Sequence, residues 1–252
     1  TRLVAIGASN LSLGLSTAID LLRAHHGTDI EVFVAAGYGR SYGASSDIPF
    51  RRLPSILESE LWSELSLAGE GPLRALVTDV GNDILYGHGE DAIVDWVREA
   101  VERLLDRTDD ITLTGLPLAS IERLSSPEFL FFRTPFFAGC RLSRENVVAA
   151  ARIIDERLRR LATDRKIRFV EQDASWYSLD PIHVRPRCWR AAWSSYLGLP
   201  ASSEGGAAPF SPVQWTRIQT IPPAKRWLFG LEQRRPQSQG VALPRGGVLR
   251  LY

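Results

Sequence analysis

The sequence predicts an α/β fold, in which a parallel β-sheet is covered by helices on both faces. Five short runs rich in β-branched residues recur along the chain, and segments with helical apolar spacing lie between them. Strands that alternate with helices form parallel sheets through right-handed crossovers, because each crossover must carry the chain back to the starting edge. A further observation locates function. In such a sheet the loops after the strand C-termini share one edge, where ligands bind. Here those loops hold serine, glycine, asparagine, aspartate and histidine.

The first strand is LVAI (3–6), which breaks into Gly7, Ala8, Ser9 and Asn10, with Ser12 and Gly14 following before helical periodicity is expected to set in. The second is IEVFVAA (30–36), followed by the loop GYGRSYG (37–43). The third, LRALVTDV (73–80), leads into GNDILYGHG (81–89). A helix over 90–107 puts Ile93, Val97, Ala100, Val101 and Leu104 on one face. The fourth strand is ITLTGL (111–116). After it comes a long connection that includes SSPEFLFFRTPFFAG (125–139), which packs half of the chain's ten phenylalanines into positions 129–137. A helix over 143–163 aligns Val147, Ala151, Ile154, Leu158 and Leu161, with Ser143 as its N-cap. The fifth strand, IRFVEQ (167–172), is followed by DASWYSLDPIHV (173–184). Past 199 the chain turns Ser/Gly/Pro-rich and ends in GVALPRGGVLRLY, which reads as a small hairpin. The expected organisation is an α/β domain at 1–198 with an extension at 199–252 packed on it.

Composition narrows the function. With 252 residues and 44% hydrophobic content the chain can bury a full core. Thirty basic residues against 29 acidic ones leave a net charge of +1, which is no footprint for nucleic acid or an anionic membrane. No apolar run approaches the roughly 18 residues of a spanning helix, so integral membrane association is not expected. The first strand begins without a charged n-region and apolar h-region, so the expected location is cytoplasmic. Cys140 and Cys188 have neither a disulfide framework nor metal-ligand spacing.

Histidine is scarce, which makes it informative. His25 and His26 end the first helix, at the opposite edge of the sheet, where they complement the helix dipole. His183 lies three residues after Asp180, a spacing that lets the carboxylate fix the imidazole tautomer and support an imidazolium. His183 is therefore the expected base, with His88 at the rim. Ser9 sits where strand turns to helix, and its own amide can point at a developing oxyanion. Ser12 and Ser16 fall further along, where a helix-start role is expected. Acyl transfer needs further donors around the oxyanion. The Gly39 amide and the Asn82 side chain supply them, with Gly37 a competing position. Taken one at a time, each of these residues has an ordinary turn or loop role. Their convergence on one edge is what points to chemistry.

Four blocks, in this order, resemble the SGNH hydrolase superfamily of GDSL-type esterases and lipases. They are IGASN with Ser9, AAGYGRS with Gly39, VGNDI with Asn82, and DPIH with Asp180 and His183. The resemblance runs from residue 3 to about 198 and implies a flavodoxin-like three-layer α/β/α fold around a five-stranded parallel sheet. It also implies hydrolysis of a carboxylic ester without metal or cofactor. Carried over, Ser9 is the nucleophile, His183 the base and Asp180 its orienter, with Ser9, Gly39 and Asn82 forming the oxyanion hole. Two departures stand out. Ala8 occupies a position where many members have aspartate, and Asn10 one where they have leucine. What that aspartate contributes to holding the turn must therefore come from elsewhere.

Substrate identity is less legible. Arg40, together with Arg185 and Arg187, reads first as solvated surface, with the holding of an anionic substrate group as its candidate functional role. Phe131 and Phe132 read first as part of a satellite apolar cluster buried under the loop, and as the alternative are candidates for an acyl-pocket wall or lid. The same triad would also serve a carbohydrate O-deacetylase, a thioesterase or an acyltransferase. A different class, a non-catalytic nucleotide-binding module with phosphate cradled over Gly7 to Gly14, lacks both the GxGxxG spacing and a use for the Asp180–His183 pair.

Overall fold

The structure is a computed structural model that describes residues 1–48, 50–67, 69, 71–136, 140–200 and 210–252, with the side chains of 132–136 excluded. The chain runs β1 (Arg2–Ile6), α1 (Ser9–His26), β2 (Glu31–Ala35), β3 (Ser46–Ile48), β4 (Arg51–Leu53), α2 (Leu61–Leu67) and β5 (Leu73–Val77). There follow α3 (Asn82–Leu85), α4 (Glu90–Leu105), β6 (Ile111–Thr114), α5 (Leu118–Glu122), α6 (Ser126–Phe136), α7 (Arg144–Arg165) and β7 (Arg168–Val170). The C-terminal part holds α8 (Trp189–Tyr196), α9 (Pro212–Thr220), β8 (Lys225–Leu228), β9 (Leu231–Arg234), β10 (Val241–Ala242) and β11 (Val248–Leu251).

The main sheet is seven-stranded, in the order β10-β11-β2-β1-β5-β6-β7. Its five expected strands are all present and parallel, and their order is that of a flavodoxin-like doubly wound sheet. β1 lies at the centre, with Val4 registered between Phe33 of β2 and Ala75 of β5. Two apolar clusters cover the two faces. One joins Val4, Ile6 and Val77 to α4 and α7, and the other joins Leu3 and Ala5 to α1 and α8. Ile93, Val97, Ala100, Val101 and Leu104 are buried on α4, as are Val147, Ala151, Ile154, Leu158 and Leu161 on α7. The Ser143 hydroxyl caps α7 by accepting the Asn146 amide.

Three features depart from expectation. The terminal hairpin is present, but it extends the sheet: β11 pairs in parallel with β2, and β10 pairs antiparallel with β11. It covers what would otherwise be an unpaired edge of β2. Second, β8 and β9 join β3 and β4 in a small antiparallel sheet that no alternating pattern announced. Third, α1 begins at Ser9, several residues earlier than the periodicity implies, and Gly14 lies inside it. A Cβ at Gly14 would fall 1.8 Å from Trp193 Nε1, so glycine here serves close packing of α1 on α8.

Candidate active site

Four loops at the C-terminal edge of the sheet bring the expected residues together. Ser9 Oγ lies 2.9 Å from His183 Nε2, and His183 Nδ1 lies 2.7 Å from Asp180 Oδ2. With Nδ1–H donated to the carboxylate, Nε2 is left to accept the serine proton. The local turn builds this geometry. The second carboxylate oxygen of Asp180 accepts the amides of Ile182 and His183, each at 3.1 Å, so a three-residue spacing is enough to aim both side chains. Burial pushes the His183 imidazole down, but the hydrogen bond and charge of Asp180, together with the charge of Asp79, outweigh it and hold its pKa above 6.5. Burial likewise opposes ionisation of Asp180, and its bonds to His183 and to the two amides outweigh that and keep its pKa below 3.8.

Asp79 was not legible as a site residue, because TDV reads as the polar end of a strand. The strand ends at Val77, and Asp79 takes φ +61° in the turn beyond it. Its Oδ2 accepts the amides of Ala8 and Leu11, both at 3.0 Å. Ala8 is the N-cap of α1 and carries no side chain that could do this. A carboxylate from the neighbouring loop therefore caps the helix that starts at Ser9, in place of a side chain at position 8. Burial raises the Asp79 pKa, against the lowering effect of the two amide bonds. A carboxylate on these amides also leaves no anion seat at the α1 N-terminus, which removes the basis for a phosphate cradle over Gly7 to Gly14.

Asn10, the other departure, clamps the histidine loop to α1. Its Nδ2 donates to the Ile182 carbonyl at 2.7 Å, and its Oδ1 accepts the Val184 amide at 2.8 Å. The two bonds bracket His183 and fix its backbone relative to Ser9. A leucine could make neither.

The oxyanion candidates face the same cavity. Gly39, φ +67°, lines it, and the Tyr86 hydroxyl holds the Gly39 carbonyl at 2.6 Å. A Cβ at Gly39 would come within 2.8 Å of that hydroxyl, so this loop accepts only glycine there. Gly37 turns away and lines a separate cleft. Asn82, first residue of α3, lines the cavity, and its Nδ2 is buried without an acceptor among the described residues. The adjacent Asp83 points inward and accepts the Tyr42 amide at 3.1 Å, which ties the 37–43 loop to α3. Burial pushes the Asp83 carboxyl up to about 6.

The cavity encloses about 400 Å³ and runs from Ser9 past Ile84 and Leu116 to Phe129 and Val147. Its walls are mainly aliphatic. At its side Gln172 Oε1 accepts the hydroxyls of Tyr177 and Tyr196, while Gln172 Nε2 donates to the Gly115 carbonyl at 3.1 Å. Gln172, Tyr177 and Tyr196 leave no signal in the sequence, since a Gln/Tyr set spaced across a loop and a helix carries no pattern.

Three candidate substrate residues need correction. Arg40 is fully buried, and its guanidinium donates to the main-chain oxygens of Ala36, Pro54, Ser55 and Tyr252, so it holds loops together and cannot reach a substrate. His88 stacks edge-on against Trp96, with centroids 4.9 Å apart, and does not line the cavity. Phe131 is 73% exposed on α6 and lies off the cavity, because the helix turns it outward while Phe129, two residues earlier, faces in. The side chains of Phe132 and Phe136 lie outside the described residues, as does Phe137. Ser12 and Ser16 also differ from expectation. Ser12 Oγ donates to the Ala8 carbonyl at 3.0 Å, and buried Ser16 Oγ accepts from Gln214 of α9. Arg185 donates to the Ser175 carbonyl. Among the described residues no cluster of three or more His, Cys, Asp or Glu is placed to hold a metal ion, and no helix is long and apolar enough to cross a membrane.

No family model matches the chain, and no curated protein matches it in sequence. Solved structures do match in shape. A member of the lipolytic protein G-D-S-L family from Veillonella parvula DSM 2008 superposes with a TM-score of 0.50 at 11% identity, over 77% of this chain and 95% of that one. The psychrotrophic esterase EstA from Pseudoalteromonas sp., inhibited by monoethylphosphonate, aligns at TM-score 0.49 and 10% identity, over 77% and 93%. An inhibitor-bound aryl esterase from M. smegmatis aligns at 0.48 and 17%, over 79% and 95%. The superposition on the G-D-S-L family member shows that the chain has the α/β fold of that protein, a likeness of fold at 11% identity.

Proposed function

We propose that the chain is a divergent SGNH-type serine hydrolase that cleaves a carboxylic ester through an acyl-enzyme. The observation that carries this reading is the hydrogen-bonded series Ser9–His183–Asp180, opening on the same apolar cavity as the Asn82 amide, which has no acceptor among the described residues. Ser9 Oγ forms a bond to the ester carbonyl carbon while its proton passes to His183 Nε2. The negative charge that gathers on the carbonyl oxygen is met by the amides of Ser9 and Gly39 and by Asn82 Nδ2. Asp180 stabilises the imidazolium without taking its proton. The bond to the alcohol oxygen then breaks, and His183 protonates the departing alcohol. Water repeats the sequence on the acyl-enzyme and releases the acid.

The aliphatic walls favour an apolar acyl group, which ranks a carboxylesterase above a sugar deacetylase. Labelling by a fluorophosphonate probe, with turnover of p-nitrophenyl esters, tests the reading. Both are expected in the wild type and neither in a folded Ser9→Ala variant. Undiminished turnover in Ser9→Ala would overturn it.

A further inference from the structure

Resting on that reading, we infer that a second cleft, which shares Tyr38 with the apolar cavity, binds an anionic group, carboxylate or phosphate, borne by the leaving alcohol of the ester. The cleft encloses about 110 Å³ and is lined by Arg51 of β4, Arg226 of β8, Tyr38, Ser12 and Gln219. Its two arginines come from paired strands of the small sheet, in which Arg51 registers with Leu228 and Arg52 with Trp227.

What marks this cleft is its charge. Nearby arginines of the same sheet are paired: Arg52 with Asp47 and Arg234 with Glu232. Among the described residues no carboxylate makes an ion pair with Arg51 or Arg226. Arg51 Nη2 donates to the Tyr38 carbonyl at 2.9 Å and Arg226 Nε to the Gln233 side chain at 2.9 Å, both neutral acceptors. Arg51 Nε is buried with no acceptor among the described residues. Two neighbouring cations with one buried donor unused are costly in an unliganded protein and are offset by an anion that accepts from both. Burial, then the charge of Arg226, holds the Arg51 guanidinium below its ordinary pKa.

Topology gives the ligand its place in the reaction. The apolar cavity extends toward Leu116, Phe129 and Val147, on the β5–β6 side of the central strand. The arginine cleft is lined by Val34, Ala36 and Leu251, on the β2–β11 side. Ser9 follows β1 between them, and Tyr38 lines both spaces. With the acyl group in the apolar cavity, the ester oxygen leaves toward the arginines.

The test compares three butyryl esters: that of 4-hydroxybenzoate, that of its neutral methyl ester, and that of 4-hydroxyphenyl phosphate. For the wild type, at least one charged ester is expected to show a KM about tenfold below the neutral one, as one charge-assisted contact implies. Whichever charged ester has the lower KM identifies the anion. Arg226→Gln should raise that KM about tenfold with kcat and the neutral ester unaffected, and Arg51→Gln should do the same where it folds. In parallel, inorganic phosphate should raise the wild-type Tm and do so less in Arg226→Gln. Ser9-dependent hydrolysis of all three esters at one KM, with phosphate acting equally on both proteins, would overturn the inference and leave the ester reading standing. No turnover of any ester would remove the ester reading and, with it, the assignment of this cleft to a leaving group.

Discussion

Replacing Asn82 by alanine separates a catalytic donor from a structural asparagine, because the two roles move activity and stability in opposite directions. Asn82 Nδ2 is buried and has no acceptor among the described residues. A buried donor without a partner costs about 1–3 kcal/mol, so its removal relieves strain on the fold. For a domain of this size each 1 kcal/mol moves Tm by about 2–4 °C, and Asn82→Ala is expected to hold or raise Tm. Catalysis should go the other way. Loss of one oxyanion donor lowers kcat by about 10²–10³, equivalent to about 2.7–4 kcal/mol of transition-state stabilisation. KM should change little, because the bond tightens only as charge develops on the carbonyl oxygen. Initial rates on a p-nitrophenyl ester give both parameters, and calorimetry gives Tm. A lowered Tm with kcat preserved would return Asn82 to an ordinary loop role and refute the oxyanion assignment.

Three further outcomes follow from the site. Because the His183 pKa lies above 6.5 and the base must be neutral, kcat/KM should rise with pH through an apparent pKa above 6.5; the same group's contribution to stability is complete below 6.5 and is lost as pH rises through the folded value, so activity and that contribution move oppositely. An acidic limb below 6.5 would contradict this. Asp79→Asn can keep both amide bonds through its carbonyl while losing the charge, so it should fold and shift that limb to lower pH, whereas Asp79→Ala leaves the Ala8 and Leu11 amides without their acceptor and should lower both Tm and kcat. An unmoved pH profile in Asp79→Asn would show that its charge does not reach His183. Phe129→Ala, which enlarges the cavity from a buried position, should shift preference toward longer or bulkier acyl groups and cost about 3–5 kcal/mol of stability, while Phe131→Ala, off the cavity on the exposed face of α6, should leave acyl preference unchanged. Measuring both variants on esters of graded chain length checks this, and equal effects would mean that the two rings share one role.

The sequence by itself determined the five core strands, their alternation with helices and hence their parallel direction, and which residues follow them at the sheet edge. Period-two and period-3.6 patterns report directly which face of an element is buried, and a three-residue spacing such as Asp180–His183 is short enough for local backbone geometry to settle. Tertiary structure alone decided what depends on contacts across long stretches of chain. Asp79 caps α1 from 68 to 71 residues away, and Asn10 clamps a loop more than 170 residues distant. Neither leaves a periodic signal, because the partner is a backbone amide or carbonyl that any residue offers. Arg40 illustrates the reverse error. A charged residue after the second strand reads as solvent- or ligand-facing, yet four main-chain oxygens enclose it, one of them from Tyr252, which no local pattern could bring there. The phenylalanine-rich segment divides in the same way. Composition says that rings must be buried, but only the rotation of α6 decides that Phe129 meets the cavity and Phe131 the solvent.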